Sequence, residues 1–378
     1  MLQAIFLVLL FNTISCLKYP RHIQSSYHKS VPRSICFATS ASLDKPKWAA
    51  GGFISDLVNA LISYKPLFNL MKPAARFTLI STAESNGIPW RQRAAYLLTN
   101  VEQLEENRAT LVNTQIKYPF YYTQEFHAYD NGNLNWDAAV ECESATMSMA
   151  LRVWPKDKLT AEEAQNRLRY SYLDEVQKYL NALKVTPRRV IDVGCSVGMS
   201  TFYLTKYFPD AERICGLDMS PYFLSVAVQR QKDLLLTHSG SNSNGNDSPS
   251  FPVEAIRRIE WKHGMAEHSP YESETFDLVS MSFIFHELPQ QESVNILQDM
   301  YRLLSPNGGV LAITDNNPRS KVIQNLPPVL FTLMKSTEPW SDQYYSFDIE
   351  ETLRSIGFVN VQTVETDPRH RTIVATKI

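Results

Sequence analysis

The most constraining feature of this 378-residue sequence is an apolar run that enters a turn of small residues and then a helix. Residues 188–194 read Arg-Arg-Val-Ile-Asp-Val-Gly, which is typical of a buried strand, and apolar side chains recur at helical spacing over residues 202–208. Gly194 and Gly198 lie in the turn. Because glycine has no side chain, a ligand can approach the backbone amides there. The pattern predicts a strand, tight turn and helix that bind a ligand.

The spacing around this turn separates two classes of ligand. A dinucleotide site needs G-x-G-x-x-G, and here Ser196 and Met199 stand where its second and third glycines belong. The sequence instead places Asp192 on the strand, in the pattern Asp-x-Gly-x-Ser-x-Gly. A carboxylate at that position repels a diphosphate but attracts the cationic amino group and sulfonium of S-adenosylmethionine (SAM). The charge pattern therefore favours SAM.

A second acidic residue, Asp218, ends the next predicted strand, Arg213–Asp218. A carboxylate at that strand end can accept hydrogen bonds from both hydroxyls of a ribose. Ser220 and Pro221 follow, as expected at the start of a helix. The alternative interpretation is that Asp218 only caps this helix.

The C-terminal residues decide between sheet types. Two predicted strands, residues 358–364 and 371–376, are separated by only six residues. Parallel neighbours need a crossover of about a dozen residues or more, so these two strands are predicted to be antiparallel. A fully parallel dehydrogenase sheet fits this pattern less well.

With these motifs, the chain from Val190 to its C-terminus resembles the class I SAM-dependent methyltransferases. The resemblance implies an α/β fold with a seven-stranded, doubly wound, Rossmann-like sheet whose last strand is reversed, and SAM as the cofactor. Met265 stands at the family's usual acidic position beside the adenine. The cofactor-binding residues that it implies are Asp192, Gly194, Cys195, Ser196, Gly198, Asp218, Met219, Met265, Ala266 and Ser282.

The resemblance places acceptor-side residues after the fourth strand, where His286 and Glu287 lie. We expect His286 to accept a proton from, or to position, the methyl acceptor while Glu287 orients it. The alternative is that His286 packs locally. A zinc site of the HExxH type is excluded because Gln290 stands where the second histidine belongs.

An aromatic, turn-rich stretch at residues 118–136 is a candidate lid, with His127, Tyr129 and Asp130 facing the ligand. The alternative is that its aromatic side chains only seal the joint to a helical N-terminal cap. This stretch resembles poorly characterised plant and algal plastid methyltransferase-like proteins.

The chain is expected to begin with a cleavable leader, residues 1–45. An apolar core at residues 4–11 is too short to span a membrane, and residues 17–43 contain basic residues and serines but no Asp or Glu. This tandem of signal and transit-like segments predicts a plastid location, with mitochondrial or secretory destinations as alternatives. Body cysteines Cys142, Cys195 and Cys215 show no CxxC spacing, so neither a disulfide framework nor a metal site is predicted.

The remaining chain divides into a helical cap, residues 46–160, and the catalytic domain, residues 161–378, which contains a low-complexity insertion at residues 239–250. The net charge of −2 argues against nucleic-acid binding, so a small-molecule acceptor is expected. An isoprenoid, quinone or pigment precursor is the hypothesis for that acceptor. The alternative function is an inactive SAM-binding scaffold or regulator.

Overall fold

The computed structural model describes residues 76–127, 129–239, 251–325 and 338–378. The predicted leader lies outside the described residues, as do the first part of the predicted cap and all of the insertion except Ser239, where a helix ends. Within the described residues, no helix is both long and apolar enough to cross a membrane.

A seven-stranded sheet forms the centre of the structure, in the order β3-β2-β1-β4-β5-β7-β6. Neighbouring strands pair in parallel from β3 across to β5, whereas β7 pairs antiparallel with both β5 and β6. The predicted doubly wound sheet with a reversed last strand is therefore confirmed. The strands are β1 Arg189–Val193, β2 Arg213–Asp218, β3 Ile259–His263, β4 Leu278–Ser282, β5 Val310–Asn316, β6 Val359–Glu365 and β7 His370–Thr376.

Helices cover both faces of the sheet, because successive side chains of each central strand point to opposite faces. Val190 belongs to one buried apolar cluster and Ile191 to the other. Residues 76–85 are helical. The helices that follow are α1 Trp90–Thr99, α2 Val101–Leu111, α3 Trp136–Leu151, α4 Ala161–Leu183, α5 Met199–Tyr207, α6 Pro221–Ser239, α7 Val253–Arg257, α8 Gln290–Leu303, α9 Lys321–Gln324, α10 Ser341–Tyr344 and α11 Ile349–Ile356, with short 3-10 helices at Phe120–Thr123 and Phe285–Glu287.

The described part of the N-terminal region is mainly helical, as predicted. Helix α3 packs against α1 and α4, and α2 packs along α6. A small apolar cluster joins Leu104 of α2 and Val140 of α3 to Val197 and Met199, at the turn after β1. The cap therefore contacts the sheet domain at the turn after β1, where the ligand is predicted to bind.

Helix α4 links the cap to the sheet and has a well-defined start. The Thr160 hydroxyl accepts a hydrogen bond from the Glu163 amide at 3.2 Å, and the Glu163 carboxylate accepts one from the Thr160 amide at 2.8 Å. This reciprocal arrangement is a capping box. At the other end, Lys184 adopts a left-handed conformation with φ of 57°.

Replacing Thr160 with Ala should lower the free energy of unfolding by about 1 kcal/mol, because α4 loses the side-chain hydrogen bond at its start. Thr160→Ser keeps the hydroxyl and is the matched control, with a change of a few tenths of a kcal/mol. Urea unfolding followed by circular dichroism measures both values. Equal losses in the two variants would show that the hydroxyl does not hold the helix start.

Candidate cofactor and acceptor site

The turn after β1 needs its two glycines for backbone and packing reasons. Gly194 and Gly198 have φ of 69° and 81°, a region that favours glycine. A Cβ on Gly194 would lie 2.4 Å from Cδ1 of Ile284, and one on Gly198 would lie 2.5 Å from the Trp261 ring. Ser196, between them, also has a positive φ of 51°. The turn is therefore held against β4 on one side and β3 on the other.

Asp192 is completely buried and supports the start of α5. Its Oδ2 accepts hydrogen bonds from the hydroxyls of Ser200 and Thr201, both at 2.6 Å. Its Oδ1 has no hydrogen-bond partner among the described residues. Burial raises the pKa of Asp192 to about 6, although the two hydroxyls oppose the shift. One carboxylate oxygen thus remains able to accept a hydrogen bond from a ligand.

Asp218 joins the ends of the first two strands. One oxygen accepts the Ser196 amide and the other the Ser220 amide, each at 2.8 Å. Burial raises the pKa of Asp218 to about 6, and these two amides oppose the shift. The Ser220 hydroxyl itself accepts the Phe223 amide at 3.3 Å, so it caps the start of α6. The Ser220 hydroxyl, rather than Asp218, is thus the cap of α6, and Asp218 instead fixes the glycine turn through the Ser196 amide.

The remaining residues that are predicted to bind the cofactor lie around Asp192 and Asp218. Cys195 and Met219 are buried, and Met265, Ala266 and Ser282 are half-buried. The Ser282 hydroxyl has no hydrogen-bond partner among the described residues. All of them lie in the turns or strand ends at the carboxyl edge of β1 to β4, where parallel sheets bind ligands.

The aromatic segment before α3 lies against the end of β3. Tyr121 donates to Glu267, and the Tyr118 hydroxyl lies 3.2 Å from Nε2 of His263. The Asn113 amide donates to Nδ1 of His263 at 2.9 Å, so the proton of a neutral ring is on Nε2, which lies 3.0 Å from the Met219 carbonyl oxygen. Burial lowers the pKa of His263, which favours this neutral form.

The sequence did not indicate His263 or Asn113 because neither belongs to a recognisable motif. Together with Tyr118 and Tyr121, these two residues hold residues 113–121 over the side of the site where the adenine of SAM is predicted to bind. The candidate lid at residues 118–136 stays a prediction.

The three residues predicted for the lid have different surroundings. His127 is exposed, and its Nε2 lies 3.4 Å from Oε1 of Glu287, on the acceptor side. The Tyr129 hydroxyl donates to Glu141 on α3 at 2.5 Å, and the Arg76 guanidinium lies over its ring. Asp130 is exposed. His127 thus contacts Glu287 of the predicted catalytic pair, while Tyr129 contacts the cap helices.

His286 is held by Asp315 at the end of β5, and this contact corrects the expected role of Glu287. Nδ1 of His286 lies 2.8 Å from Oδ1 of Asp315, whereas Nε2 lies 4.0 Å from Oε1 of Glu287. Asp315 also accepts the amides of Phe285 and His286, which brings the 3-10 helix onto β5. The orienting carboxylate comes from a strand that is distant in sequence, so the motif could not indicate it.

The Asp315 carboxylate dominates the protonation of this histidine. Burial alone would lower the pKa of His286, but Asp315 raises it to about 10. Asp315 thus favours the protonated form of His286, in which Nε2 is a hydrogen-bond donor. Glu338 lies near His286, and the Oε2 atom of Glu338 has no hydrogen-bond partner among the described residues.

The described residues contain no group of three or more His, Cys, Asp or Glu side chains placed to hold a metal ion. Cys142, Cys195 and Cys215 are all free thiols.

Residues 191–312 match a family described as the methyltransferase domain. The chain is 29% identical over 128 residues to the demethylmenaquinone methyltransferase of Oceanobacillus iheyensis, covering 34% of this chain and 44% of that protein. It is 25% identical over 197 residues to the enzyme of the same name from Lactococcus lactis, covering 47% and 68%. A solved SAM-dependent methyltransferase from Aquifex aeolicus aligns with a TM-score of 0.39 at 19% identity, over 56% of this chain and 93% of that one. The chain thus spans between 44% and 68% of the length of these two curated relatives.

Replacing Asp218 with Ala should weaken SAM binding by roughly tenfold to a hundredfold, because charge-assisted hydrogen bonds contribute about 1.5–3 kcal/mol. Calorimetric titration with SAM measures the Kd. Asp210→Ala removes an exposed carboxylate just before β2 and should leave the Kd unchanged. An unchanged Kd in Asp218→Ala would exclude Asp218 from the cofactor site.

Proposed function

We propose that this chain, which carries a class I SAM-dependent methyltransferase domain, transfers a methyl group to a small molecule with a hydroxylated ring, such as a quinol. The observation that carries the proposal is the buried His286–Asp315 pair, at the same edge of the sheet as Asp192 and Asp218. The His286–Asp315 pair can stabilise an anionic acceptor while Asp192 and Asp218 hold the cofactor.

The residues of the first two strand ends fit SAM by their chemistry. Asp192 has a free carboxylate oxygen for the cationic amino group, and Asp218 has a second lone pair on each oxygen for the ribose hydroxyls. When bound, SAM supplies a methyl group on a positively charged sulfur, which is a good leaving group. The protein's part is then to position the acceptor and to exclude water.

His286 acts on the acceptor side as a donor of a hydrogen bond. Because its Nδ1 is engaged by Asp315, only Nε2 can face an acceptor. The protonated imidazole there stabilises a ring hydroxyl that has lost its proton to water, and the resulting oxyanion makes both that oxygen and the neighbouring ring carbon more nucleophilic. The proton-accepting role predicted from sequence needs the neutral imidazole, which the Asp315 carboxylate disfavours, and it stays the alternative role of Nε2.

The names of the relatives favour a quinol over the other acceptors considered. Both curated relatives are demethylmenaquinone methyltransferases. Tyr122 supports a flat, apolar acceptor, because its aromatic ring lies near the acceptor side: burial raises the pKa of its phenol, and the nearby carboxylates of Asp218 and Glu287 add to that shift. An isoprenoid or pigment precursor would contact the same residues.

The direct test is methyl transfer from labelled SAM by the full chain to a demethylated naphthoquinone, offered in its reduced and its oxidised form. Only the reduced form has ionisable hydroxyls, so labelled product is expected from it alone. Equal labelling of both forms would contradict the oxyanion role.

The alternative function is an inactive SAM-binding scaffold, which is favoured by the departures Ser196 and Met265 from the family pattern. SAM binding without transfer to any quinol or to any component of a plastid extract would support this alternative. Transfer to any of these compounds would exclude it.

We also propose a plastid location directed by the leader, residues 1–45. Its composition supports this destination, with Lys18, Arg21, Lys29 and Arg33 among many serines and no acidic residue between residues 17 and 43. A fluorescent protein fused after residue 45 should enter plastids of an alga with a secondary plastid. Retention of the fusion in the secretory route or in mitochondria would contradict the proposal.

Replacing His286 with Ala should lower kcat about 10²–10³-fold, the usual cost of removing a donor to an oxyanion. The Kd for SAM should stay within twofold of the wild type, because His286 lies on the acceptor side. His268→Ala removes an exposed histidine and is the matched control. Steady-state rates and calorimetry separate the two effects, and an unchanged kcat would make His286 a structural residue.

A further inference from the structure

Two buried polar side chains on α4 have no role in the site described so far. Gln165 and Arg169 lie one turn apart on the same helix and are 1% and 6% exposed. Neither polar atom of the Gln165 amide has a hydrogen-bond partner among the described residues, and the same holds for Nε and Nη1 of Arg169. Most buried polar groups in folded proteins are hydrogen-bonded. The pair therefore requires an explanation.

The position of α4 places both residues at the ligand edge of the sheet. The Tyr179 hydroxyl contacts Thr376, opposite the start of β5, and the Tyr172 hydroxyl contacts Ser280 in the middle of β4 at 2.9 Å. The helix thus runs from the carboxyl edge of the parallel strands towards their amino edge. Arg169 comes one turn before Tyr172, with its guanidinium 5.5 Å from the ring centre of Phe283, the residue after β4. Gln165 lies a further turn beyond.

The charge of Arg169 is not balanced by an ion pair with any described carboxylate. Asp192 is close enough to influence it, since burial lowers the pKa of Arg169 and the Asp192 carboxylate opposes that shift. Yet Asp192 Oδ1 also has no partner. A buried cation without a partner is costly, and the cost falls when an anion binds to it.

The donors of Arg169 and Gln165 and the acceptor Oδ1 of Asp192 therefore remain without hydrogen-bond partners among the described residues. They lie beside the end of β1, at the turn of Gly194–Gly198. A zwitterion satisfies both, because it brings one anionic and one cationic group a short distance apart. The methionine end of SAM is such a group. A guanidinium fork also matches the two oxygens of a carboxylate.

We propose that Arg169, assisted by the amide of Gln165, binds the α-carboxylate of SAM while Oδ1 of Asp192 accepts a hydrogen bond from its α-ammonium group. This inference rests on the proposed function, since it names the residues that bind one end of the proposed cofactor. It assigns to the helix before β1 a part in cofactor binding that the turn and strand motifs do not contain.

The test compares two ligands that differ only in the carboxylate: S-adenosylhomocysteine and its decarboxylated analogue, S-adenosyl-3-thiopropylamine. Calorimetry on the full chain gives the Kd of each for the wild type, for Arg169→Met and for Arg189→Met. The last variant is the matched control, because Arg189 lies at the opposite end of β1 and pairs with Asp277. Thermal unfolding of each variant checks that it is folded.

The wild type should bind S-adenosylhomocysteine at least tenfold more tightly than the analogue. Arg169→Met should weaken S-adenosylhomocysteine binding tenfold or more and leave binding of the analogue within twofold, while Arg189→Met changes neither. Gln165→Leu should give a smaller loss with the same selectivity, and it replaces Arg169→Met if that variant does not fold.

Equal losses for both ligands, or equal binding of both by the wild type, would overturn the role of Arg169 while leaving SAM binding intact. Binding of neither ligand by the wild type would instead overturn the proposed function, and with it this inference.

Discussion

The site depends on the hydrogen bonds that tie the turn after β1 to the end of β2. The amides of Gly194 and Cys195 both donate to the Leu217 carbonyl, and the carboxylate of Asp218 accepts the Ser196 amide. Ser196 adopts a left-handed conformation within this arrangement. These contacts hold the turn at the edge of the sheet, where α5 starts.

The N-terminal region contacts both sides of the candidate site. Tyr118 and Tyr121 contact residues at the end of β3, while His127 reaches Glu287 on the opposite side. The segment therefore extends from the side assigned to the adenine to the side assigned to the acceptor. In a doubly wound sheet the edge is open, so a separate segment has to exclude water from the reacting groups.

Charge is arranged in two separate groups along this edge. His286 and Asp315 form a buried pair beyond β4 and β5, and Asp192 lies with Arg169 beside β1 and β4. In the first group the opposite charges are hydrogen-bonded to each other, so the pair is complete. In the second group the donors and the acceptor do not meet, so the group is complete only when a ligand supplies both charges.

Much of the fold was determined by the sequence itself, because it rests on local patterns. The small-residue turn, the acids that precede it and end β2, and the short connection before β7 predicted the sheet and its reversed strand. These signals are read within about thirty residues of chain, the span of one strand-helix-strand unit. Asp192 and Asp218 could be predicted as cofactor-binding residues for the same reason, because both lie within one such unit.

The tertiary structure alone decided which distant side chains complete the site. Asp315 replaces Glu287 as the partner of His286, and Tyr129 turns towards α3, because packing of β5 and of the cap helices sets these contacts. Arg169 lies in a helix whose sequence predicts only an amphipathic face. A side chain that lacks a partner can be recognised only when its surroundings are known, since burial and hydrogen bonding are properties of the folded chain rather than of its sequence.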